Sequence, residues 1–383
     1  MCADFSCDVA VVGGGPAGAT AAFLLARQGL RVRLYEKQSF PRPKLCAGLL
    51  TWKTLHLLES IFSTSLATLK ADGIIKEACR DYRIYFGSQL LHQGRLEFPF
   101  HFVQRQNYDH YWLCKAGAAG ARIHTATAVQ QVDAASGTLL TATGDRVRAR
   151  LIVGADGVWS RVRRAMDHQP LMKRKWLKNM ALTIETHIAV GDLHPLPQPA
   201  SLYFGFVPWG YGWSFPGPNG RIIGMGALGC KNSRSLGKAL KEMLAVDKLD
   251  LCPTQRWQSH PLPYGNFIDP PAKGRILLIG DACGLADPLL GEGIYYAHRS
   301  AQLAARAIVA RALQPGPTVR CYNKMMKRRV LRELRWIRFY RGLLFLGGLR
   351  RRYRGLKLFT RLFPQRLEAA VQGHLAYSKL LLP

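Results

Sequence analysis

The sequence predicts a mixed α/β protein, α+β overall, in which a parallel-sheet domain carries an inserted antiparallel β-sheet and a C-terminal helical extension. Three observations predict this fold. Residues 8–36 have the pattern of a strand, a glycine-rich turn, a helix and a second strand. Residues 280–294 lie between a buried-strand run, RILLI, and a long helix-like run, which predicts another strand-to-helix turn. After residue 319, a basic segment has apolar residues at helical spacing.

The N-terminal segment has the residue types and the spacing of a Rossmann-like dinucleotide-binding turn. A short apolar strand at residues 8–12 precedes a G-x-G-x-x-G motif with glycines at Gly13, Gly15 and Gly18. These glycines allow a tight turn, close approach of a pyrophosphate, and close packing of helix and sheet, respectively. The second strand ends at Glu36, where an acid can bond ribose hydroxyls. This acid favours a free 2′-OH, as in FAD or NAD rather than NADP.

Two later segments repeat the strand–turn–helix pattern with an acidic residue in the turn. In RLIVGADGVWSRVRR, residues 150–164, a strand at 151–153 precedes Asp156 and Gly157, and a helix begins near Ser160. In residues 280–294, Asp281 follows a buried strand and a helix begins at the far end. The start of a helix has unpaired backbone N–H groups and a partial positive charge. Both segments are therefore candidates for one wall of the nucleotide site.

Length and composition limit the classes of protein to consider. The chain has 383 residues, of which 48% are hydrophobic, which suits two substructures with sizeable cores. The first strand begins within ten residues of the start, so no secretory signal is expected. No stretch approaches the roughly 18 uncharged apolar residues of a membrane span. The nine cysteines include no C-x-x-C pair, which favours reduced thiols in a cytoplasm over a disulfide framework or a metal site.

The net charge of +30 is concentrated near the C-terminus. Residues 320–366 contain 16 basic residues and one acid, Glu333, a net of +15. A basic amphipathic helix with aromatic residues is typical of a membrane-surface element, although a solvated face or a nucleic-acid site has the same charge. We favour an anionic membrane surface because no nucleic-acid-binding motif accompanies the charge. The apolar stripe comprises Met326, Val330, Leu334, Ile337, Tyr340 and Leu344.

The order of the motifs resembles that of a known group of flavoproteins. Between the N-terminal turn and the A-D-G-x-x-S-x-V-R segment lies R-x-x-Y-D-x-x-x-L, which begins at Arg105. With G-D-A-x-G-x-x-x-P-x-x-G-E-G-I, this series looks like the FAD-dependent oxidoreductases of the para-hydroxybenzoate hydroxylase type. Within that group, PRPKLCAG at residues 41–48 and YGWSFP at residues 211–216 resemble the geranylgeranyl reductase family. One departure is Ala47, which stands where the family has a glycine.

The resemblance implies FAD as the cofactor, a cytoplasmic enzyme peripheral to the inner face of the membrane, and reduction of isoprenoid C=C bonds. It implies a catalytic role for Cys46, Tyr211 and Trp213. Asp281 would bind the ribityl chain, and the helix that starts at residues 291–294 would face the pyrimidine edge of the flavin. The cofactor-binding residues that we predict are Gly13, Gly15, Pro16, Ala17, Gly18, Glu36, Lys37, Arg42, Lys44, Cys46, Ala47, Arg105, Val129, Asp156, Gly157, Gly280, Asp281, Ala282, Pro288, Gly291, Gly293 and Ile294.

Saturation of an alkene requires a hydride, a proton and a pocket that excludes water. Cys46 can donate a proton or a hydrogen bond, or it can simply pack. Tyr211 and Trp213 alternate as on a strand and therefore share one face, to which parity also assigns Trp209. No second nucleotide fingerprint occurs in the sequence. The electron donor is therefore expected to dock transiently, as NADPH or a reduced ferredoxin.

Two other classes of function remain open from the sequence. YGWSFP is close to the W-x-W-x-I-P of flavin-dependent halogenases, so a monooxygenase or halogenase on the same fold is the main alternative. A halogenase also needs a lysine between flavin and substrate, for which Lys44 and Lys76 are candidates. The third class is a non-enzymatic flavin-bearing protein that binds lipid or nucleic acid. The alkene and the oligomeric state are not determined by the sequence.

The motifs predict discontinuous domains. The FAD-binding domain is predicted at residues 1–60, 100–165 and 265–310. A substrate domain is predicted at residues 61–99 and 166–264, and the basic helical extension at residues 311–383. No metal site is predicted.

Overall fold

The computed structural model describes residues 5–166, 176–189, 199–217, 220–247, 256–346 and 349–380. Residues 1–4 and 381–383, at the ends of the predicted domains, lie outside the described residues. In the described part of the chain, the strands are β1 (Cys7–Val12), β2 (Val32–Tyr35), β3 (Leu49–Leu50), β4 (Ile75–Phe86), β5 (Gln89–Val103), β6 (Arg122–His124), β7 (Val129–Asp133), β8 (Thr138–Thr141), β9 (Arg146–Gly154), β10 (Met180–Ala189), β11 (Ala200–Phe204), β12 (Gly210–Gly217), β13 (Gly220–Leu228), β14 (Gln258–Pro263), β15 (Ala272–Lys273) and β16 (Ile276–Leu278).

The helices are numbered in the same way through the described residues. They are α1 (Pro16–Ala26), α2 (Trp52–Phe62), α3 (Leu66–Ala71), α4 (Arg105–Ala118), α5 (Arg161–Met166), α6 (Leu236–Leu244), α7 (Ile294–Ala310), α8 (Pro315–Met326), α9 (Arg332–Phe345), α10 (Leu349–Leu362) and α11 (Pro364–Gln372).

The first sheet has the strand order β15-β16-β9-β1-β2-β6, with the β7–β8 hairpin attached to β9. Its central pairs are parallel, with Val9 opposite both Val32 and Leu151. These apolar strands are buried because helices cover the faces of a parallel sheet. The strand predicted at residues 8–12 corresponds to β1, and the second predicted strand, which ends at Glu36, corresponds to β2. The carboxyl ends of β1, β2 and β9 meet at one edge, where the sequence motifs lie.

The second sheet has the order β14-β10-β13-β12-β11-β4-β5-β3. Its pairs are antiparallel except β11–β4, which is parallel. Strands β3, β4 and β5 of this sheet come from residues 49–103, and strands β10–β14 come from residues 180–263. The predicted fold class, an α/β domain with an inserted antiparallel sheet and C-terminal helices, is confirmed. Along its strands, residues that face inward alternate with residues that face outward, as the geometry of a pleated sheet requires.

The C-terminal helices are part of the folded core. Helix α8 continues through a π-helical turn at Lys327–Leu331 into α9. The predicted apolar stripe is helical, but it faces the protein: Met326, Val330 and Leu334 are fully buried. The expectation that this stripe lies on a membrane is therefore wrong, because its apolar area is already covered by the core of the first domain. Any membrane-binding face must consist of other residues.

Hydrogen bonds also hold helix α11 to α2 and to the second sheet. Gln372 accepts a hydrogen bond from the backbone N–H of Trp52 at 2.7 Å and donates to the carbonyl of Phe98 at 2.9 Å. Tyr82 of β4 donates to Glu368 of α11. None of the described helices is long and apolar enough to cross a membrane.

Candidate functional site

One cavity of about 1100 Å³ lies between the two sheets. Its floor contains the carboxyl ends of β1, β2 and β9, and its wall is the inner face of the second sheet, including Leu202 and Phe215. Helices α9, α10 and α11 contribute to the opposite wall. The volume exceeds the roughly 300–1,000 Å³ of common ligand pockets, so it can accept a large cofactor together with a substrate.

The glycine-rich turn after β1 is shaped for close approach of a ligand. Gly13 has a φ of +105°, and a Cβ there would lie 2.3 Å from the Ala155 carbonyl oxygen. A Cβ on Gly18 would lie 1.8 Å from the Gly13 oxygen, so this glycine permits the tight contact between helix and sheet. At Gly15 the nearest atom is 3.5 Å away, in Arg42, which leaves room beside the backbone. Helix α1 begins there without a side-chain cap, so its first N–H groups are available to a pyrophosphate.

Backbone N–H groups of nearby residues fix the Glu36 side chain at the end of β2. Its two carboxylate oxygens accept hydrogen bonds from Gly14 N at 2.8 Å and Gln38 N at 3.0 Å. A carboxylate has about four acceptor positions, so two remain for ribose hydroxyls. Lys37 lines the cavity beside it. The arrangement fits the adenosine half of FAD.

Three charged side chains form a buried cluster on the other side of the turn. Arg105, at the start of α4, donates two hydrogen bonds to the Asp109 carboxylate, at 2.8 and 3.0 Å. Arg42 approaches the same carboxylate at 3.5 Å. Its Nε atom is buried without a hydrogen-bond partner among the described residues. The nearest carboxylate oxygen to this Nε is that of Glu36, at 3.9 Å, which is too long for a hydrogen bond. A buried donor without a hydrogen bond at this place fits an acceptor on a bound cofactor.

Lys44 and His260 pair across the cavity, with Nζ and Nε2 2.7 Å apart. Burial lowers the pKa of Lys44, and burial together with the Lys44 charge lowers the pKa of His260 to about 4. The neutral imidazole therefore accepts a hydrogen bond from the ammonium group. Lys76, the other lysine considered for a halogenase, is exposed on β4 and does not line the cavity.

Asp156 mainly organises the helix that follows it. Its carboxylate accepts hydrogen bonds from the Ser160 hydroxyl and from Arg161 N at 2.7 Å, at the first turn of α5. The predicted helix start near Ser160 is therefore correct. Asp156 and Gly157 line the cavity next to Val129, so this segment shapes the wall while its charge is engaged locally.

The segment at residues 280–294 forms the remaining part of the cofactor wall. A short 3-10 helix at Gly280–Cys283 follows β16. A Cβ on Gly293 would lie 3.6 Å from Asp281 Oδ1, so the acidic turn and the start of α7 adjoin. Asp281, Gly291 and Gly293 line the cavity together with Ile294, the first residue of the helix. The helix dipole favours negative charge at that point.

The residues expected to act on the substrate lie beside this wall. Cys46 is half-buried, and its sulfur accepts from Gly48 N at 3.4 Å. The ring centroids of Tyr211 and Trp213 are 6.0 Å apart on β12, and the Tyr211 hydroxyl donates to the Leu290 carbonyl. The expectation for Trp209 is wrong. This residue precedes β12 with a φ of +53°, which breaks the alternation, and it packs on Phe345 outside the cavity.

The structure brings most of the predicted site residues to this cavity. Gly18, Gly280, Ala282 and Pro288 are the exceptions, since they do not line it. The predicted residues that line it are Gly13, Gly15, Pro16, Ala17, Glu36, Lys37, Arg42, Lys44, Cys46, Ala47, Arg105, Val129, Asp156, Gly157, Tyr211, Trp213, Asp281, Gly291, Gly293 and Ile294.

Sequence reasoning missed the contribution of β10 and β14 to the cavity. Glu185 on β10 and His260 on β14 both line it. In the sequence, Glu185 is the acid within the otherwise neutral strand MALTIETHIA. It lies on the same face of that strand as Ala181 and Thr183. Without knowledge of the sheet order, that parity does not reveal which face is inside. Among the described residues, no group of three His, Cys, Asp or Glu side chains is arranged to hold a metal ion.

Comparison with known families and proteins gives consistent results. The FAD binding domain family matches residues 6–313. The chain is 30% identical over 312 residues to geranylgeranyl diphosphate reductase of Rhodobacter capsulatus, covering 79% of this chain and 75% of that protein. It is 32% identical over 330 residues to menaquinone reductase of Mycobacterium tuberculosis, covering 82% and 79%. Digeranylgeranylglycerophospholipid reductase 1 of Methanothermobacter thermautotrophicus is 27% identical over 332 residues, covering 82% and 79%.

Solved structures share the fold at low sequence identity. A geranylgeranyl bacteriochlorophyll reductase-like protein of Thermoplasma acidophilum gives a TM-score of 0.73 at 20% identity, covering 90% of this chain and 88% of that one. Halogenase PltM gives a TM-score of 0.69 at 16% identity, covering 97% and 83%. Such likenesses establish the architecture, which supports more than one reaction.

Proposed function

This chain belongs to the geranylgeranyl reductase family of FAD-dependent oxidoreductases, and we propose that it reduces C=C bonds of a prenyl lipid at a membrane surface. One observation carries the proposal: a single cavity joins a dinucleotide-binding turn to an apolar, aromatic sheet face. Relatives named for geranylgeranyl diphosphate, a digeranylgeranyl phospholipid and menaquinone support a prenyl-bearing substrate.

In this proposal the residues of the floor hold FAD, which supplies a hydride when bound and reduced. Gly15 and the first turn of α1 would take the pyrophosphate, and Glu36 would take the adenosine ribose. Asp281 would accept hydrogen bonds from the ribityl chain, and the start of α7 would stabilise negative charge on the flavin. The Nε of Arg42, which is buried without a hydrogen bond, supports a cofactor acceptor nearby.

The other half of the cavity positions the alkene. Tyr211 and Trp213 present aromatic surface to it, and Leu202, Phe204 and Phe215 extend that surface with hydrophobic side chains. These side chains exclude water, and the indole face favours a positive charge that develops on the alkene during reduction. Cys46 lines the cavity, and its side chain lies next to that of Arg105. NADPH or a reduced ferredoxin, docking transiently, supplies the electrons.

A membrane location has support from a second apolar stripe, distinct from the predicted one. Trp336, Phe339, Leu343 and Leu346 are 40–58% exposed and recur at helical spacing along and just beyond α9; we call them the apolar ridge. Exposed arginines, including Arg332 and Arg338, adjoin the ridge on the same helix. Apolar and basic groups on one face suit an anionic lipid surface, here the inner face of the membrane.

The ridge and the cavity meet at one residue. Leu343 is 55% exposed and also lines the cavity. Arg351 and Arg352, at the start of α10, line the cavity as well. A lipid that enters between α9 and α10 would therefore keep its prenyl chain out of water from the membrane to the sheet face.

A halogenase or monooxygenase remains the second candidate, because Lys44 lines the cavity and halogenase PltM has the same fold. Its amine donates to His260, an engagement that a catalytic lysine would have to give up.

Anaerobic single turnover tests the proposal. Protein that has been reduced by dithionite is mixed with geranylgeranyl diphosphate, a digeranylgeranylglycerophospholipid or menaquinol, whose ring is already reduced, and the flavin absorbance is followed. Reoxidation by at least one of these compounds without oxygen is expected. Reoxidation by oxygen alone would favour the second candidate.

A further inference from the structure

Glu185 is a carboxylic acid in an unusual place. It lies in the middle of β10, paired with β13 and β14, and its side chain is only 2% exposed. It nevertheless lines the cavity, at the parity that Thr183 and Ala181 share. A buried carboxyl group usually has hydrogen-bond or charge partners, because removing it from water is costly.

The surroundings of this carboxyl group leave one oxygen available. Glu185 Oε1 is buried without a hydrogen-bond partner among the described residues, and so is the indole Nε1 of Trp213. The ring nitrogen of His187, on the same strand, is 3.8 Å away and largely exposed. Burial raises the pKa of Glu185 to about 7, against smaller opposing effects of Trp213, the Cys46 backbone and Arg105. Near neutral pH the group therefore holds a proton in a substantial fraction of molecules.

Several other protic groups that line the cavity are engaged elsewhere. The Tyr377 hydroxyl has no hydrogen-bond partner among the described residues, but burial raises its pKa well above its ordinary value, so it is a much weaker acid. Tyr211 donates its hydroxyl to the Leu290 carbonyl, and Lys44 donates to His260. Asp287 accepts from Leu289 N at 2.6 Å and from Leu290 N at 2.8 Å. Glu185 therefore differs from the engaged groups in that its Oε1 has no hydrogen-bond partner among the described residues, although the residue lines the cavity.

We propose that Glu185 is the acid that protonates the substrate alkene during its reduction. The inference rests on the proposed function. In the step, the π bond breaks; one carbon forms a C–H bond with the hydride from reduced FAD, and the other forms a C–H bond with the Glu185 proton. FAD is thereby oxidised by two electrons, the alkene is reduced, and the Glu185 carboxylate regains a proton from water. Cys46 and Trp213, which adjoin the carboxyl group, position it.

The test compares Glu185→Gln and Glu185→Asp with the wild-type holoenzyme. Infrared difference spectra across pH 5–9 should show a protonated-carboxyl C=O band that titrates near pH 7 and is missing in E185Q. In anaerobic turnover with geranylgeranyl diphosphate, the digeranylgeranyl phospholipid or menaquinol, E185Q should slow flavin reoxidation by about 10²–10⁴-fold. Reduction of its FAD by dithionite should be unchanged. E185D, which keeps the acid, should recover part of the rate.

Each outcome decides the proposal. Absence of the titrating band, or an E185Q rate equal to that of an active wild type, would overturn the role of Glu185 and leave the proposed function in place. A wild type that is oxidised by none of the three compounds would overturn the proposed function, and the role of Glu185 with it.

Discussion

At the scale of single residues, the site depends on a few buried polar groups whose partners are fixed. Asp109 is engaged by Arg105, Glu36 by backbone N–H groups, and Lys44 by His260. Such groups hold their positions before a ligand binds, which reduces the cost of ordering them. Cys46 and Asp281 are the residues whose replacement distinguishes the substrate half from the cofactor half.

Cys46→Ala is expected to keep FAD bound and to slow alkene reduction by about 10²-fold, because a small displacement near the reacting atoms has effects of that size. Flavin content and anaerobic reoxidation measure the two effects separately. Cys114→Ala, an exposed replacement on α4, is the matched control. Unchanged turnover in Cys46→Ala would show that the thiol is only a packing residue.

Asp281→Ala is expected to weaken FAD binding by about 10–100-fold, the effect of losing a charged hydrogen-bond acceptor. Equilibrium dialysis of the flavin measures it. Asp145→Ala, which changes an exposed acid outside the cavity, should bind FAD normally. Normal occupancy in Asp281→Ala would contradict the assignment.

Residue-level prediction from sequence succeeded where a motif fixes local geometry. Gly13 and Gly18 need their positions because backbone atoms would clash with a side chain. Glu185 could not be found in this way, because its place in the cavity depends on the pairing of β10 with β13 and β14, which are distant in sequence. The prediction for Trp209 is wrong because the backbone of this residue is left-handed, which ends the alternation of side chains before β12 begins.

At the scale of elements, three helices of the first domain meet at one buried histidine. His298 of α7 is 2.7 Å from the Thr20 hydroxyl of α1 and 2.8 Å from the Tyr108 hydroxyl of α4. Burial lowers its pKa to about 3. Since the folded pKa is below the unfolded value, this group contributes stability that is present above pH 6.5 and is lost as the pH falls toward 3.

His298→Gln removes that titration but keeps an amide at the centre of the three helices. The variant is expected to be less stable than the wild type at pH 7.5, and the difference should narrow at lower pH by at most about 1.4 kcal/mol per pH unit. Urea unfolding at several pH values measures it, with exposed His56→Gln as control. A difference that stays constant with pH would exclude His298 as a source of the acid sensitivity.

The amphipathic stripe shows what periodicity can and cannot establish. Its spacing correctly predicts a helix with one apolar face from Met326 to Tyr340. Periodicity does not say what covers that face, and here the protein core does. The exposed apolar ridge is not predicted from the sequence, because its residues alternate with arginines.

At the scale of the whole molecule, the apolar ridge and the cavity share Leu343, which is exposed to solvent and also lines the cavity. The wall of the cavity to which helices α9–α11 contribute is not predicted by any motif. Arg341 of α9 donates a hydrogen bond to the carbonyl of Tyr264, just after β14, which holds this helix beside the second sheet. Such long-range contacts are not encoded in any local pattern.

Replacing Trp336, Phe339 and Leu346 by serine is expected to weaken binding to vesicles of phosphatidylglycerol and phosphatidylcholine by at least about tenfold, because apolar burial in the bilayer is lost. Leu90 and Val309, exposed elsewhere, serve as serine controls. FAD content should stay unchanged, since none of the three residues lines the cavity. Undiminished vesicle binding would contradict a membrane role for the ridge.

The central claim is that one cavity brings reduced FAD and a prenyl alkene together for reduction. The most direct measurement is the mass of the product after anaerobic turnover in deuterium oxide, and after turnover under oxygen-18 gas. The account predicts a gain of two hydrogens per saturated bond, at least one of them deuterium from solvent, and no oxygen from the gas. A product that contains oxygen-18 with its double bonds intact would contradict it.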